Sequence, residues 1–268
     1  MPLFEARVTA NHEIAHDYFQ MDFTWPPGVR RPAPGQFFTI RVSDGPVPLL
    51  RRPFGVSGFT PDAGPRTPSG GRDAIASMIY WRRGPATHVL AGDEPGDTIG
   101  VMGPLGVGFP DPAPDAVPVL VAGGVGIGPI LFFANELARA GRQSIMLIGA
   151  RTESGLPSLV VDHRVQVRRA TDDGSFGFRG TAIDLLEQTI DITSGDLELY
   201  LCGPDPMLRA GHESAVRHDI PAWVSMEQTM GCAVGACMGC AVRVHGAAEY
   251  ARVCTEGPVF RSTEIVWE

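Results

Sequence analysis

The sequence predicts a multidomain α+β protein: an antiparallel β module, a parallel doubly wound α/β module and a small cysteine-bound lobe, in that order. Over the first hundred residues, short alternating or β-rich runs (Phe4 to Thr9, Tyr18 to Trp25, Phe37 to Val42, Ala76 to Trp81) are broken by Pro and Gly clusters, the pattern of an antiparallel barrel or sandwich. From Pro118 onward, apolar runs that read as buried strands alternate with helical stretches, which implies a parallel sheet. The last section, from about Ser225, is loop-rich and holds four of the five cysteines, and so small a segment needs a metal to hold it together.

Each element has its own signal. PVLVAGG reads as a buried strand, Pro129 to Ala140 as a helix, SIMLIGA as a second buried strand, and LELYLCG as another before a helix over 205–217. The Pro-rich PDPAPDA near residues 110–116 is the natural cut, giving modules over 1–112, 113–224 and 225–268. TPDAGPRTPSGGR, from Thr60 to Arg72, reads as a mobile hairpin loop without chemistry.

Bulk properties exclude several classes. With 268 residues, 44% of them hydrophobic and 19% charged, the chain has the balance of a globular protein with a sizeable core. A net charge of −8 and only isolated basic pairs, such as Arg51-Arg52, argue against a nucleic-acid surface. The N-terminus does not read as a signal peptide, and the most apolar stretch, Val117 to Phe133, is punctuated by Gly and Pro where a membrane span needs about 20 apolar residues. The expectation is a cytoplasmic protein with no membrane or nucleic-acid partner.

The strongest chemical signal is Cys232-x4-Cys237-x2-Cys240 with Cys254 following in RVC. This is plant-type [2Fe–2S] spacing, three thiolates on one tight loop and the fourth on a neighbouring segment. Gly231, Ala233, Gly235, Ala236 and Gly239 leave room for backbone N–H groups to turn toward the sulfurs. Structural zinc is the bland alternative, though zinc ribbons present two C-x2-C pairs.

Two further signals belong to a nucleotide. In VLVAGGVGIGPI, Gly123, Gly124, Gly126 and Gly128 lie between a strand and a helix, where backbone can approach a pyrophosphate and the helix N-terminus favours its charge. The pattern departs from the strict Rossmann fingerprint, so a plain tight turn is its alternative. Cys202, Gly203 and Pro204 lie at the carboxyl end of a predicted parallel strand, where open α/β sheets bind ligands. A buried core cysteine is the alternative for Cys202. Arg151, after SIMLIGA, is either a 2′-phosphate acceptor or a surface charge, and TDDGS at Asp172, Asp173 and Ser175 reads equally as a polar turn.

Taken in order, LLRRPFGVSG, the Gly84-to-Thr87 turn, GDTIGVMGPLGVGF, VAGGVGIGP, TDDGSFGFRG, LCGPDPML and the terminal cysteine block through CTEGPVF resemble the ferredoxin-NADP reductase superfamily, and within it the electron-transfer subunits of type B dihydroorotate dehydrogenase. The resemblance spans essentially the whole chain. It implies a six-stranded antiparallel barrel for FAD, an NAD(H) domain and a [2Fe–2S] domain. The family's flavin motif maps to Arg52, Pro53, Phe54 and Gly55, and its pyrophosphate turn to Gly84, Pro85, Ala86 and Thr87, with Tyr80 and Arg82 beside the isoalloxazine or ribityl chain. Gly55 stands where a hydroxyl residue is usual and Ala86 where a second glycine is usual. Cys202 and Glu227 are implied to flank the flavin and nicotinamide, although a solvated or capping carboxylate serves equally for Glu227.

The implied activity passes electrons from dihydroorotate, oxidised at FMN in a separate catalytic subunit, through the cluster and FAD to NAD in pyrimidine biosynthesis. The expected assembly is a heterotetramer. A sister FAD/[2Fe–2S] oxidoreductase subunit is the alternative within the superfamily, namely one of NADH-dependent ferredoxin:NADP oxidoreductase, sulfide dehydrogenase or cytoplasmic hydrogenase. A zinc-stabilised nucleotide-binding module without redox chemistry is the alternative outside it.

Overall fold

Period-two burial builds the first module. The computed structural model describes residues 1–43, 45, 48–66 and 71–268. Strands β1 (Leu3–Ala15), β2 (Tyr18–Trp25), β3 (Phe37–Arg41), β4 (Arg52–Thr60), β5 (Ala74–Trp81) and, after the short helix α1 (Pro85–Leu90), β6 (Thr98–Leu105) close a barrel in the order β1-β2-β5-β4-β3-β6. Every neighbouring pair is antiparallel. Alternate residues point inward, so Met21, Phe23, Phe38, Ile40, Val56, Met78 and Val101 fill the interior at no exposure. The arms of the 60–72 loop do pair, with Arg66 bridging Arg72. Residues 67–70 of that loop lie outside the described residues.

The second module is a parallel sheet. Its elements are β7 (Val117–Gly123), α2 (Ile127–Arg139), β8 (Ser144–Ala150), β9 (Val165–Thr171), β10 (Phe178–Arg179), α3 (Ala182–Ile192), β11 (Leu197–Cys202), α4 (Asp205–Arg217) and β12 (Ala222–Ser225). Helix α2 begins at Ile127, two residues before the expected Pro129. Because β7 is covered on both faces, its residues are buried on both, as a central parallel strand requires. Val119, Val121, Leu199 and Leu201 pack with α3 and α4 on one side. Leu120, Ala122, Met146 and Ile148 pack with α2 on the other.

The cysteine-rich tail carries β13 (Ala241–Arg243), β14 (Tyr250–Arg252) and β15 (Val259–Arg261). The first two form a hairpin, whereas β15 runs antiparallel to β12 and completes the sheet order β10-β9-β8-β7-β11-β12-β15. The tail is therefore stitched into the second module's sheet.

Helix α2 joins the modules. Its Phe132 belongs to the barrel core, while Ile130, Phe133 and Leu137 belong to the sheet core. Among the described residues no helix is long and apolar enough to cross a membrane.

Candidate functional site

Strand order locates the nucleotide crevice. From β7 the chain winds outward through β8, β9 and β10, then returns to β11 on β7's other side, so the β7/β11 boundary is the topological switch point. Both glycine-containing turns expected from the sequence lie there, with Cys202 in register with Ala122. They are packed hard together. A Cβ at Gly126 would stand 2.1 Å from the Cys202 carbonyl oxygen, one at Gly123 2.7 Å from Met207 Sδ, and one at Gly203 2.5 Å from Met207 Cε. Gly124 differs: its φ is +56° and only the Tyr18 hydroxyl, at 3.7 Å, comes near, so its backbone faces space that a ligand can enter. Pro204 caps α4, and the exposed Arg151 follows β8.

Register also explains Cys202. It pairs with Ser225 across β11 and β12; burial, and after it the charge of Glu227, push its thiol up to about 12, against the lowering effect of the Ser225 hydroxyl. Cys202 and Glu227 are thus brought together, one buried and one exposed. Ser225 went unnoticed in the sequence, since only the alignment of LYLC with AWVS reveals it. The unfolded chain releases this proton first, so its contribution to stability is constant below pH 9.0 and lost as pH rises toward 12. Native Cys202 is accordingly expected to resist iodoacetamide at neutral pH while the denatured chain reacts, read by mass spectrometry. Stoichiometric labelling at Cys202 in the folded protein would contradict this burial.

The flavin-motif residues line one side of the same junction. Gly55, on β4, meets α2 so closely that a Cβ would stand 2.5 Å from Pro129 Cγ, and Gly128 approaches Ser57 likewise, at 3.2 Å. The Gly55 departure is therefore a packing requirement of the joint between modules. Phe54 packs edge-on to Tyr80, with ring centroids 6.1 Å apart. Arg52, partly exposed beside Pro53, donates through Nη1 to the Leu50 carbonyl.

Several neighbouring side chains are committed within the protein. The Tyr80 hydroxyl donates to Asn11 Oδ1 at 3.0 Å, and burial raises its pKa. Arg82 pairs with Asp17 and lies over the Phe19 ring. Ala86 is buried, and the Thr87 hydroxyl accepts from the Gly84 and Arg83 N–H groups within the α1 turn. Gly84 keeps an open side, with no atom within 4 Å of where its Cβ would be. In TDDGS, Asp173 accepts from the Ser175 N–H and hydroxyl, forming a closed polar turn.

In the cysteine loop, left-handed backbone at Ala233, Gly235 and Met238 folds the chain around its sulfurs. Val234 and Cys237 N–H groups donate to Cys232 Sγ at 3.4 Å each, holding that thiol down at about 6, and the Gly239 N–H donates to Cys237 Sγ. Cys240 and Cys254 are buried neighbours, the latter pushed up to about 11 chiefly by burial. Cys232 interacts with Cys237 and Cys254 with Cys240, and the Cys232 charge also acts on Cys254, so the four sulfurs form one neighbourhood. Inward N–H donors on a set of four thiols suit an iron–sulfur cluster. Ala233, Cys240 and Cys254 share a core with Phe37 and Leu105 of the barrel, and Phe37 pairs with Gly55.

A closed barrel clasped to a switch-point sheet, with a cysteine loop against both, defines a ferredoxin reductase-like oxidoreductase. The profile of the iron-sulfur cluster binding domain of dihydroorotate dehydrogenase B matches residues 227–266. The electron transfer subunit of NAD-dependent dihydroorotate dehydrogenase B from Desulforamulus reducens is 35% identical over 270 residues, 99% of each chain. Its counterpart from Geobacillus kaustophilus is 38% identical over 242 residues, covering 87% of this chain and 86% of the relative. The chain belongs to this family of dihydroorotate dehydrogenase B electron transfer subunits. Among solved structures, a chain of the NADH-dependent reduced ferredoxin-NADP oxidoreductase, described for flavin-based electron bifurcation, superposes with a TM-score of 0.81 at 28% identity, covering 98% of this chain and 90% of that one. A ferredoxin NADP+ reductase from Neisseria gonorrhoeae shares the fold at a TM-score of 0.62 and 17% identity, covering 85% of this chain and 93% of that one. A subunit of this family works beside a partner catalytic subunit.

Proposed function

We propose that the chain carries electrons from an FMN-containing dihydroorotate dehydrogenase subunit, in a heterotetramer, to NAD through its own [2Fe–2S] cluster and FAD. The observation that carries this reading is the contiguity of three sites. The cysteine-loop core reaches Phe37, Phe37 pairs with Gly55 in the flavin motif, and Gly55 abuts Pro129 at the head of the nucleotide turn. Bound FAD would exchange hydride with the nicotinamide and single electrons with the cluster.

The chain's own residues then bind and orient. Cys232, Cys237, Cys240 and Cys254 hold the cluster, assisted by the loop's inward N–H groups. Arg52 offers its planar fork to flavin phosphate, and Pro53, Phe54 and Gly55 line the flavin's path. Gly84's open backbone admits the pyrophosphate, while Tyr80, Arg82, Ala86 and Thr87 shape that wall from behind through the bonds given above. Gly124 and the α2 N-terminus receive the nucleotide pyrophosphate, with Gly123, Gly126, Gly128, Gly203 and Pro204 fixing the crevice. Cys202 and Glu227 frame the nicotinamide. At neutral pH the Cys202 thiol stays protonated, so its part is steric and polar.

An anaerobic visible spectrum with iron analysis, before and after NADH, tests the reading. Flavin and cluster bands that bleach together, with about two irons per chain, are expected. A colourless protein containing zinc would sink it. The close superposition on the bifurcating oxidoreductase favours a sister role as the second reading. Dihydroorotate-dependent NAD reduction with the partner subunit separates the two.

A further inference from the structure

We propose that Arg252 is a positioning residue for the cluster: by gripping the Gly235 carbonyl it orients and polarises the peptide whose other end, the Ala236 N–H, faces Cys232 Sγ, and it thereby raises the cluster's reduction potential. The inference rests on the [2Fe–2S] reading above. Arg252 spends its planar fork on two targets. Its Nε, at 2.9 Å, and its Nη2 hold the Glu256 carboxylate, while Nη1 donates to the Gly235 carbonyl oxygen at 2.8 Å. The Arg252 backbone N–H also donates to Glu256, at 2.7 Å, so the side chain is anchored at both ends.

Gly235 is the pivot of the cysteine loop. Its φ of +80° is left-handed, and a Cβ there would lie 3.0 Å from Thr255 Cγ2 and 3.2 Å from Arg252 Nη1, so the loop rests directly on these two residues. The peptide from Gly235 to Ala236 is planar, with the carbonyl on Arg252 and the N–H on the sulfur side. Fixing one end fixes the other. The flanking N–H groups of Val234 and Cys237 donate to the same sulfur at 3.4 Å, and the Gly235 N–H faces Cys254 Sγ, so the pivot serves two ligands.

A cationic donor on a carbonyl oxygen is a charge-assisted bond, and it strengthens the donor at the far end of the same peptide. The reduced cluster carries one more negative charge than the oxidised one, so stronger donors to its sulfurs stabilise the reduced form and raise the potential. The Glu256 carboxylate offsets part of the guanidinium's charge, and the direct attraction between Arg252 and the Cys254 and Cys240 sulfurs acts in the same direction as the effect carried by the peptide.

The test is an EPR-monitored redox titration of the FAD-containing protein with R252Q and R252K. R252Q is expected to keep about two irons per chain and to shift the oxidised-to-reduced ratio at the wild-type midpoint about tenfold toward oxidised, about 59 mV for one electron. R252K, a point charge without the fork, is expected to recover part of that shift. The flavin midpoint should not move in either. A wild-type cluster midpoint in any variant that retains its iron would overturn the proposal, as would iron loss from both variants with FAD retained, which would make Arg252 an assembly residue. Absence of iron from the wild-type protein would instead overturn the cluster reading itself.

Discussion

Cys254→Ser is expected to yield a chain that keeps FAD, loses its iron and no longer passes electrons from the partner subunit to NAD. Cys254 stands away from the loop that carries the other three thiols, so without it the cage stays open on the barrel side. It is 2% exposed, between the fully buried Val253 and the buried Gly257 and Pro258, in the same core as Cys240, Phe37 and Leu105. The tail's regular structure is slight, three strands of three residues each and one 3-10 turn over Ser262–Glu264. Lobes of that size draw their stability from the metal. Iron content should therefore fall to background, and limited proteolysis should open residues 227–266 first. NADH oxidation by a dye that takes electrons from flavin should persist within a few-fold. Retention of iron with full partner-dependent activity would remove Cys254 from the ligand set.

Gly126→Ala is expected to cost about 1–3 kcal/mol of stability, toward the upper end of the range for overpacking. The added methyl would stand 2.1 Å from the Cys202 carbonyl oxygen, 2.4 Å from its carbon and 2.8 Å from the Gly203 nitrogen. All three are backbone atoms of the neighbouring strand end, so no rotamer change relieves the clash. The β7 and β11 turns must separate, and nucleotide affinity should fall about tenfold, which corresponds to about 1.4 kcal/mol. Urea unfolding with an unchanged m-value measures the first effect and NADH titration the second. Gly84→Ala is the control. Its Cβ meets no atom within 4 Å and its φ is −127°, so folding stability should stay within about 0.5 kcal/mol. Equal stability of wild type and Gly126→Ala would contradict the packing at the switch point.

The change of fold type along the chain was legible in the sequence because the burial period changes: alternation in β2, a continuous apolar run in β7. The cysteine loop stands out in the sequence because the spacing of Cys232, Cys237 and Cys240 is local. Three features depend on distant residues and left no local trace. The pairing of Val259–Arg261 with β12 follows from the tail folding back, which composition does not report. The Cys202–Ser225 contact follows from strand register. The bond from the Tyr80 hydroxyl to Asn11 follows from the closing of the barrel, which a motif does not specify. Gly55 is the instructive departure. Its missing side chain reads as a weakened flavin contact in the motif and as clearance for Pro129 in the structure.

Helix α2 places Phe132 in the barrel interior and Ile130, Phe133 and Leu137 in the sheet interior. A single rigid rod is thus a wall of both compartments, and swinging one module against the other would tear apart two cores at once. Substrate entry and departure are then expected to use small excursions at the rim, with the spacing between the modules held by a packed interior, as a wire soldered at both ends holds its length.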